Sequence, residues 1–248
     1  MAAAVRPPAV VPKAPPSDFV SSAKQKTAPN WALKTMMAAT GAMLAVLLVI
    51  KLIVNLWFFT GRDHFDVVTQ KVHTFLTPYL PPDTWLWIIR IITIALVIIH
   101  IVLAIVLVLR AKRGRGVYRA KLHGGLHAWL TRLMPFTGVV IGLFAVFYVL
   151  DQMLQMVVPH GGPPAGSYDM LRQSLVVPWI AVIYIVGLAA IALHVLHGLA
   201  TVATIAAGTG VWAGNLRHYM LVAGGIILIG LLLANIAIPV CALGGWLR

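Results

Sequence analysis

Ile191-Ala-Leu-His194-Val-Leu-His197-Gly198-Leu199 sets two imidazoles inside an apolar run from about Val176 to Ala207. A run of that length and character is read as a membrane-spanning helix. Ionisable residues at membrane depth are costly, so they face a bundle interior and carry function by default. A second apolar run, Ile91 to Leu109, holds His100. Two histidines on different spanning helices can grip one metal centre between them.

The composition around them excludes a soluble domain. The 248-residue chain is 60% hydrophobic and 10% charged, with a mean hydropathy of +0.93, which is the profile of a polytopic membrane protein. The formal net charge is +13. In a soluble protein that would suggest nucleic acid. Here the basic residues flank apolar spans, so no nucleic-acid partner is expected, and membrane lipids with anionic headgroups account for them. Cys241 is the one cysteine. It allows no internal disulfide and no all-cysteine cluster within one copy.

Five spans are expected, at about 36–59, 85–109, 133–157, 176–207 and 219–242, in an all-α domain covering 31–248. Residues 1–30, rich in Ala, Pro, Ser and Lys, read as a disordered tail. Between spans one and two, Phe65, Val68, Val72 and Phe75 recur at helical spacing and predict a short helix lying in the interface. Pro159 to Gly166 reads as a linker. Basic residues concentrate on the amino-terminal side, in the tail, in the loop from Arg110 to Arg132 and at Arg217. The other side has Arg62, Lys71, Arg172 and Arg248. The asymmetry predicts a cytoplasmic amino terminus and an external carboxyl terminus.

The chain repeats itself. Span one opens with Met37-x-x-Thr40-Gly41 and span three with Met134-x-x-Thr137-Gly138, ninety-seven residues later. His100 and His194 are ninety-four residues apart. Spans one and two and spans three and four therefore read as a parallel duplication that builds a four-helix bundle, with span five added. His100 and His194 fall at similar depths in the amino-terminal-side half and are the first candidates for metal ligation. A histidine satisfied by a backbone carbonyl is the structural alternative for each. His197 lies near the face of His194 and reads as a supporting group or a ligand of something else. His123 and His127, at i and i+4, are either a chelating pair or an interfacial pair.

A second constellation falls in the opposite half. Lys51, Arg90 and Asp151 all lie in the outer third of their spans, with Asn55 one turn from Lys51. An ion pair of Asp151 with Lys51 or Arg90 would reduce the cost of burying them. The group reads either as that structural pair or as a polar site for a substrate arriving from the membrane.

Taken together, these motifs carry a resemblance. Met37-x-x-Thr-Gly41, Arg132-x-Met-x-x-Thr-Gly138, His100 before a basic loop ending in Tyr118, and His194-x-x-His-Gly198 followed by Gly208-Thr-Gly210 resemble the single-chain, five-helix cytochrome b membrane anchor of succinate dehydrogenase and fumarate reductase, respiratory complex II. The resemblance runs from roughly Trp31 to Leu243. It implies two stacked b haems held by four histidines. The proximal pair matches His100 and His194. The distal ligand positions, ten residues after each Thr-Gly glycine, are Lys51 and Tyr148 in this chain, so one haem b at most is expected. A histidine-ligated [2Fe–2S] cluster is the alternative, with thiolates from a partner subunit. A bare anchor with no centre is a third.

The resemblance also implies the partners and the role. A flavoprotein and an iron–sulfur subunit would dock on the cytoplasmic face, against the basic loop and the Lys24–Lys34 approach. The complex would sit in a bacterial-type plasma membrane, as part of the respiratory chain and the tricarboxylic acid cycle, and a higher oligomer of it is allowed for. Electrons would pass to menaquinone or ubiquinone, and the chain itself would carry no succinate chemistry. The quinone site expected from the sequence is Lys51, Arg90, Tyr148 and Asp151, with Trp31, Lys34 and Arg132 as the second choice. Competing readings are a small-solute or ion transporter, or an anchor for another dehydrogenase linked to a bis-histidine cytochrome.

Overall fold

The structure, a computed structural model, describes residues 28–114, 126–158 and 166–246, with the side chains of 126–128 outside that description. The described residues form helices and turns without strands. In order these are α1 (Asn30–Leu56), α2 (Arg62–His73), α3 (Thr84–Gly114), α4 (Leu126–Tyr148), α5 (Ser167–Leu175), α6 (Pro178–Ala207) and α7 (Ala213–Leu243). A 3-10 turn, Trp57–Thr60, extends α1, and a π-helical turn, Val149–Met153, extends α4. Helices α1, α3, α4, α6 and α7, with those extensions, are long and apolar enough to cross a membrane. Lipid offers no partner for backbone N–H and C=O groups, so such segments must close their hydrogen bonds internally, as helices do.

Local chemistry sets the breaks. Pro178 opens α6, where its missing N–H is no loss. Gly208 ends that helix at φ 64, a backbone region that glycine enters without penalty. Gly61, at φ 94, turns the chain from the end of α1 into α2. The predicted interfacial helix is α2, with Phe65 buried beneath it. The linker Pro159 to Gly166 falls outside the described residues up to position 165, as do residues 1–27, the middle of the basic loop and Arg248. Asn30, expected in the tail, already begins α1. The sequence reading missed α5, a short amphipathic helix on the side of the bundle opposite the start of α1.

Packing follows the expected duplication. In the first half α1 packs against α3, and in the second α4 packs against α6. Contact between α1 and α6 joins the halves, and α7 lies against both of these helices. Leu52, Leu188, Ile191, Leu228 and Leu232 form the apolar centre of the α1, α6 and α7 junction. A second cluster, Phe58, Phe65, Tyr168, Leu175, Ile180 and Tyr184, closes the end of the bundle under α2 and α5. There Phe58 stacks on Tyr168 at 4.4 Å between ring centres, and Arg62 holds Asp169 at 2.6 Å to tie α2 to α5. Small residues admit close helix contact in membranes. Gly187 does so here, since a Cβ on it would run into the Phe144 ring of α4.

Candidate functional site

The two Thr-Gly motifs hold the two histidines. On α1 the Thr40 hydroxyl lies 3.0 Å from the Met36 carbonyl oxygen and 3.1 Å from that of Met37. It also lies 3.0 Å from His100 Nδ1 on α3. A hydroxyl has one proton to give and lone pairs to receive with. The carbonyls can only accept, so they take the hydroxyl proton, and His100 donates Nδ1–H to the oxygen. That bond fixes the tautomer and leaves the Nε2 lone pair available for a ligand.

The second half repeats the arrangement. Thr137 donates to the Leu133 and Met134 carbonyls, each at 3.1 Å. Its oxygen lies 3.1 Å from His194 Nδ1 on α6. The adjoining glycines let each imidazole lie close against the neighbouring helix. A Cβ on Gly41 would meet His100 Cε1 at 3.2 Å, and one on Gly138 would meet His194 Cε1 at 3.5 Å.

The imidazoles meet between the halves, with ring centres 6.4 Å apart and planes at 62°. Two imidazoles on opposite sides of one metal, with bonds of about 2.0–2.1 Å, would have ring centres roughly 6.3 Å apart, and at a tetrahedral angle roughly 5 Å. Among the described residues no group of three or more His, Cys, Asp or Glu side chains gathers into a metal site. The donor set is thus two neighbouring imidazoles whose Nδ1 atoms are engaged by threonine. It does not complete a tetrahedral site. It fits a centre that brings its own remaining ligands, as haem does. Cys241 sits at the far end of α7, away from the histidine level, so a [2Fe–2S] centre there would need a partner's thiolates. His197 is buried on α6, one turn closer to the amino-terminal side.

The helical register places a second level. Lys51 is eleven residues beyond Thr40, and Tyr148 is eleven beyond Thr137. Arg90 is ten residues before His100, and Tyr184 is ten before His194. At 1.5 Å per residue all four lie roughly 15–17 Å beyond the level of the Thr–His contacts, toward the side that carries α2 and α5. Lys51 Nζ stands 6.0 Å from the Tyr148 ring centre. Tyr148 and Tyr184 have ring centres 6.3 Å apart. Lysine and tyrosine thus face one another at the two positions matched to distal haem ligands, and this level does not fit a second bis-histidine haem.

The expected ion pair is not formed. Asp151 is 1% exposed and is held by neutral donors. Tyr184 OH donates to it at 2.8 Å, Ser174 Oγ at 2.9 Å and Gln152 Nε2 at 2.8 Å. Asp151 belongs to the π-helical turn, whose wider winding changes the direction of its side chains relative to a plain α-helix. There it meets α5 and α6 instead of Lys51. Arg90 packs over the Trp87 ring at 4.9 Å. The ion pairs among the described residues, Arg62–Asp169 and His73–Asp83, lie outside the long helices. Lys51, Tyr148 and Asp151 are therefore connected through Tyr184, while Arg90 shares only their depth.

A pair of amides borders this level. Asn235 is 2% exposed and donates Nδ2 to the Leu231 and Leu52 carbonyls, at 2.9 and 3.1 Å. Its Oδ1 accepts Asn55 Nδ2 at 3.1 Å. Asn55 Oδ1 is buried with no hydrogen-bond partner. An acceptor left so costs about 1–3 kcal/mol. On the amino-terminal side, Trp31, Lys34 and Arg132 are exposed, and no hydrogen bond or ring contact brings the three together. His123 lies outside the described residues, and His127 begins α4 with its side chain outside them.

Tyr184, Ser174, Gln152 and Asn235 escaped the sequence reading. The repeat held a signal for one of them, because Tyr184 stands ninety-four residues after Arg90, the same offset as His194 from His100. No protein-family model, curated protein or solved structure matches the chain.

Proposed function

We propose that the chain is the membrane-anchor subunit of a succinate:quinone oxidoreductase, with one b haem held between His100 and His194. The observation that carries this reading is the mirrored pair of Thr–His contacts, which engages Nδ1 of each imidazole while the two ring centres lie 6.4 Å apart. A b haem in that place supplies a one-electron relay.

The chain's own residues do the remainder. Thr40 and Thr137 set the tautomers, and Gly41 and Gly138 seat the rings. The basic residues of the amino-terminal side, Lys34, Arg110 and Arg132 among them, form the docking face for flavoprotein and iron–sulfur subunits. Arg110 also steadies the entry to α1, through the Ala28 carbonyl at 2.7 Å and Asn30 Oδ1 at 2.9 Å. This orientation puts that face in the cytoplasm of a bacterial-type cell.

Reduction of a quinone takes up two electrons and two protons, so its carbonyl oxygens need donors. Lys51 and Tyr148 supply an ammonium and a phenol at one level. Asp151 and Tyr184 stand behind them as a buried polar support. Menaquinone or ubiquinone fits this chemistry equally.

The test is a dithionite-reduced minus oxidised visible spectrum of the purified complex, with total iron and the identity of the co-purifying subunits. The expected result is a sharp b-type band, lost in both His100→Ala and His194→Ala, in a preparation containing a flavoprotein. A chain that purifies alone without the band overturns the reading. Iron beyond the iron–sulfur subunit's capacity, without a haem band, would assign the histidines to a cluster.

A further inference from the structure

We infer that the loop joining α2 to α3, residues 74–83, inserts the rings of Phe75 and Tyr79 into the lipid surface on the side opposite the start of α1. The inference stands apart from the haem and quinone readings.

Helix α2 has the apolar stripe that would lay a helix on a membrane, but it spends that stripe on the protein. Phe65 is 3% exposed and meets the Phe58 and Tyr168 rings edge-on, at 5.5 and 6.1 Å between centres. Val68 and Val72, on the same helix face, are half-buried. The apolar surface left for lipid at this corner lies in the loop that follows. Phe75 is 66% exposed and Tyr79 is 89% exposed. From Thr74 to Pro82 the chain reads Thr-Phe-Leu-Thr-Pro-Tyr-Leu-Pro-Pro, without one charged side chain.

The loop is pinned at its neck. Asp83 N–H donates to the His73 carbonyl at 3.0 Å, and the two side chains pair. Within it, Thr77 N–H donates to the Thr74 carbonyl and Leu80 N–H to the Leu76 carbonyl, each at 2.9 Å. Asp83 has φ 67, a region that residues with a Cβ enter seldom, and these bonds hold it there. The exposed rings are therefore presented at a fixed place.

What the neck joins sets the depth. Thr84 begins α3, so Trp85 and Trp87 occupy the first turn of a helix long and apolar enough to span. Tryptophan at the end of a span belongs at the headgroup level. The Phe75 ring centre lies 5.8 Å from that of Trp85, which brings the loop to the same level. A tyrosine ring suits that boundary, with an apolar body and a hydroxyl for the wet side. An uncharged, ring-bearing loop held there has lipid as its partner. It fastens the cap formed by α2 and α5 to the membrane surface as well as to the bundle.

The experiment places a nitroxide label at Tyr79→Cys, and separately at Phe75→Cys, in the full chain carrying Cys241→Ser. The protein is reconstituted in vesicles of phosphatidylglycerol and phosphatidylethanolamine. Power-saturation EPR compares collisions with oxygen, which concentrates in lipid, and with a water-soluble nickel chelate. A label at Asp63→Cys, roughly 160° around α2 from the buried Phe65, is the water reference. The expected result is an oxygen-to-nickel collision ratio severalfold higher at Tyr79 and Phe75 than at Asp63. A nickel collision rate at either position equal to that at Asp63 overturns the inference. Exclusion of both agents would place a protein against the loop and overturns it too. Tyr79 is exposed enough that its label asks for no repacking, and no outcome bears on the haem or quinone readings.

Discussion

Replacing Thr137 with valine keeps the branched shape and removes the hydroxyl that receives His194 Nδ1–H at 3.1 Å. The imidazole loses that partner, with the Met134 backbone the other group it bonds. Stranding a buried donor costs about 1–3 kcal/mol, and about 1.4 kcal/mol corresponds to a factor of ten in binding. On the proposed haem reading, affinity for the group should therefore fall by roughly 10–100-fold, the range found for hydrogen-bond partners of metal-ligating histidines. The imidazole also becomes a weaker donor, which disfavours the oxidised iron, so the midpoint potential should rise. A tenfold difference between the two oxidation states corresponds to about 59 mV for one electron. Thr40→Val should act alike through His100, whereas Thr40→Ser keeps the hydroxyl and should stay near the wild type. Haem per complex and a redox titration of the b band measure both effects. If both valine variants retain haem and potential, the hydroxyls do not set the tautomers, and the central reasoning here fails.

The two halves should respond unequally to one methyl group. Gly41→Ala brings a Cβ to 3.2 Å from His100 and should weaken the b band, while Gly138→Ala, at 3.5 Å from His194, should leave the spectrum unchanged. Gly187→Ala drives a methyl into Phe144 and should lower resistance to unfolding in SDS by about 1–3 kcal/mol, as overpacking does. Asp151→Asn disturbs three hydrogen bonds to a buried acceptor, and the same SDS titration should show a loss of about 1–3 kcal/mol. Lys51→Met should depress succinate:quinone reductase activity while dye-linked succinate oxidation continues. Normal quinone reduction in that variant would remove the far-side site.

The spans were legible because twenty apolar residues in a row admit few other fates. The facing of His100 and His194 was legible because the repeat places both at one depth. The role of Thr40 and Thr137 was only half visible. The Thr-Gly pair marked the repeat, but which imidazole edge it touches depends on the rotation of α3 and α6, and periodicity does not fix that. Asp151 defeated the ion-pair reading. Depth alone sets it level with the cations, and the π-helical turn after Tyr148 inserts a deviation with no sequence signature. The short helix α5, which supplies Ser174, follows a Gly/Pro-rich linker and is too brief to show a period. Asn235 looked like one polar residue in an apolar run, and its meaning appears only beside Asn55 on α1.

The mirrored Thr–His contacts divide the ligand set unusually. Each hairpin, α1 with α3 and α4 with α6, finishes and orients one imidazole within itself, and neither owns a pair. Whatever the two nitrogens hold in common can be held only after the hairpins have met inside the bilayer. Occupancy of that position would then act as an assembly checkpoint, present in chains whose halves have docked and missing from those inserted but still apart. A chain cut between α3 and α4 and expressed as two pieces would carry the same checkpoint across two polypeptides.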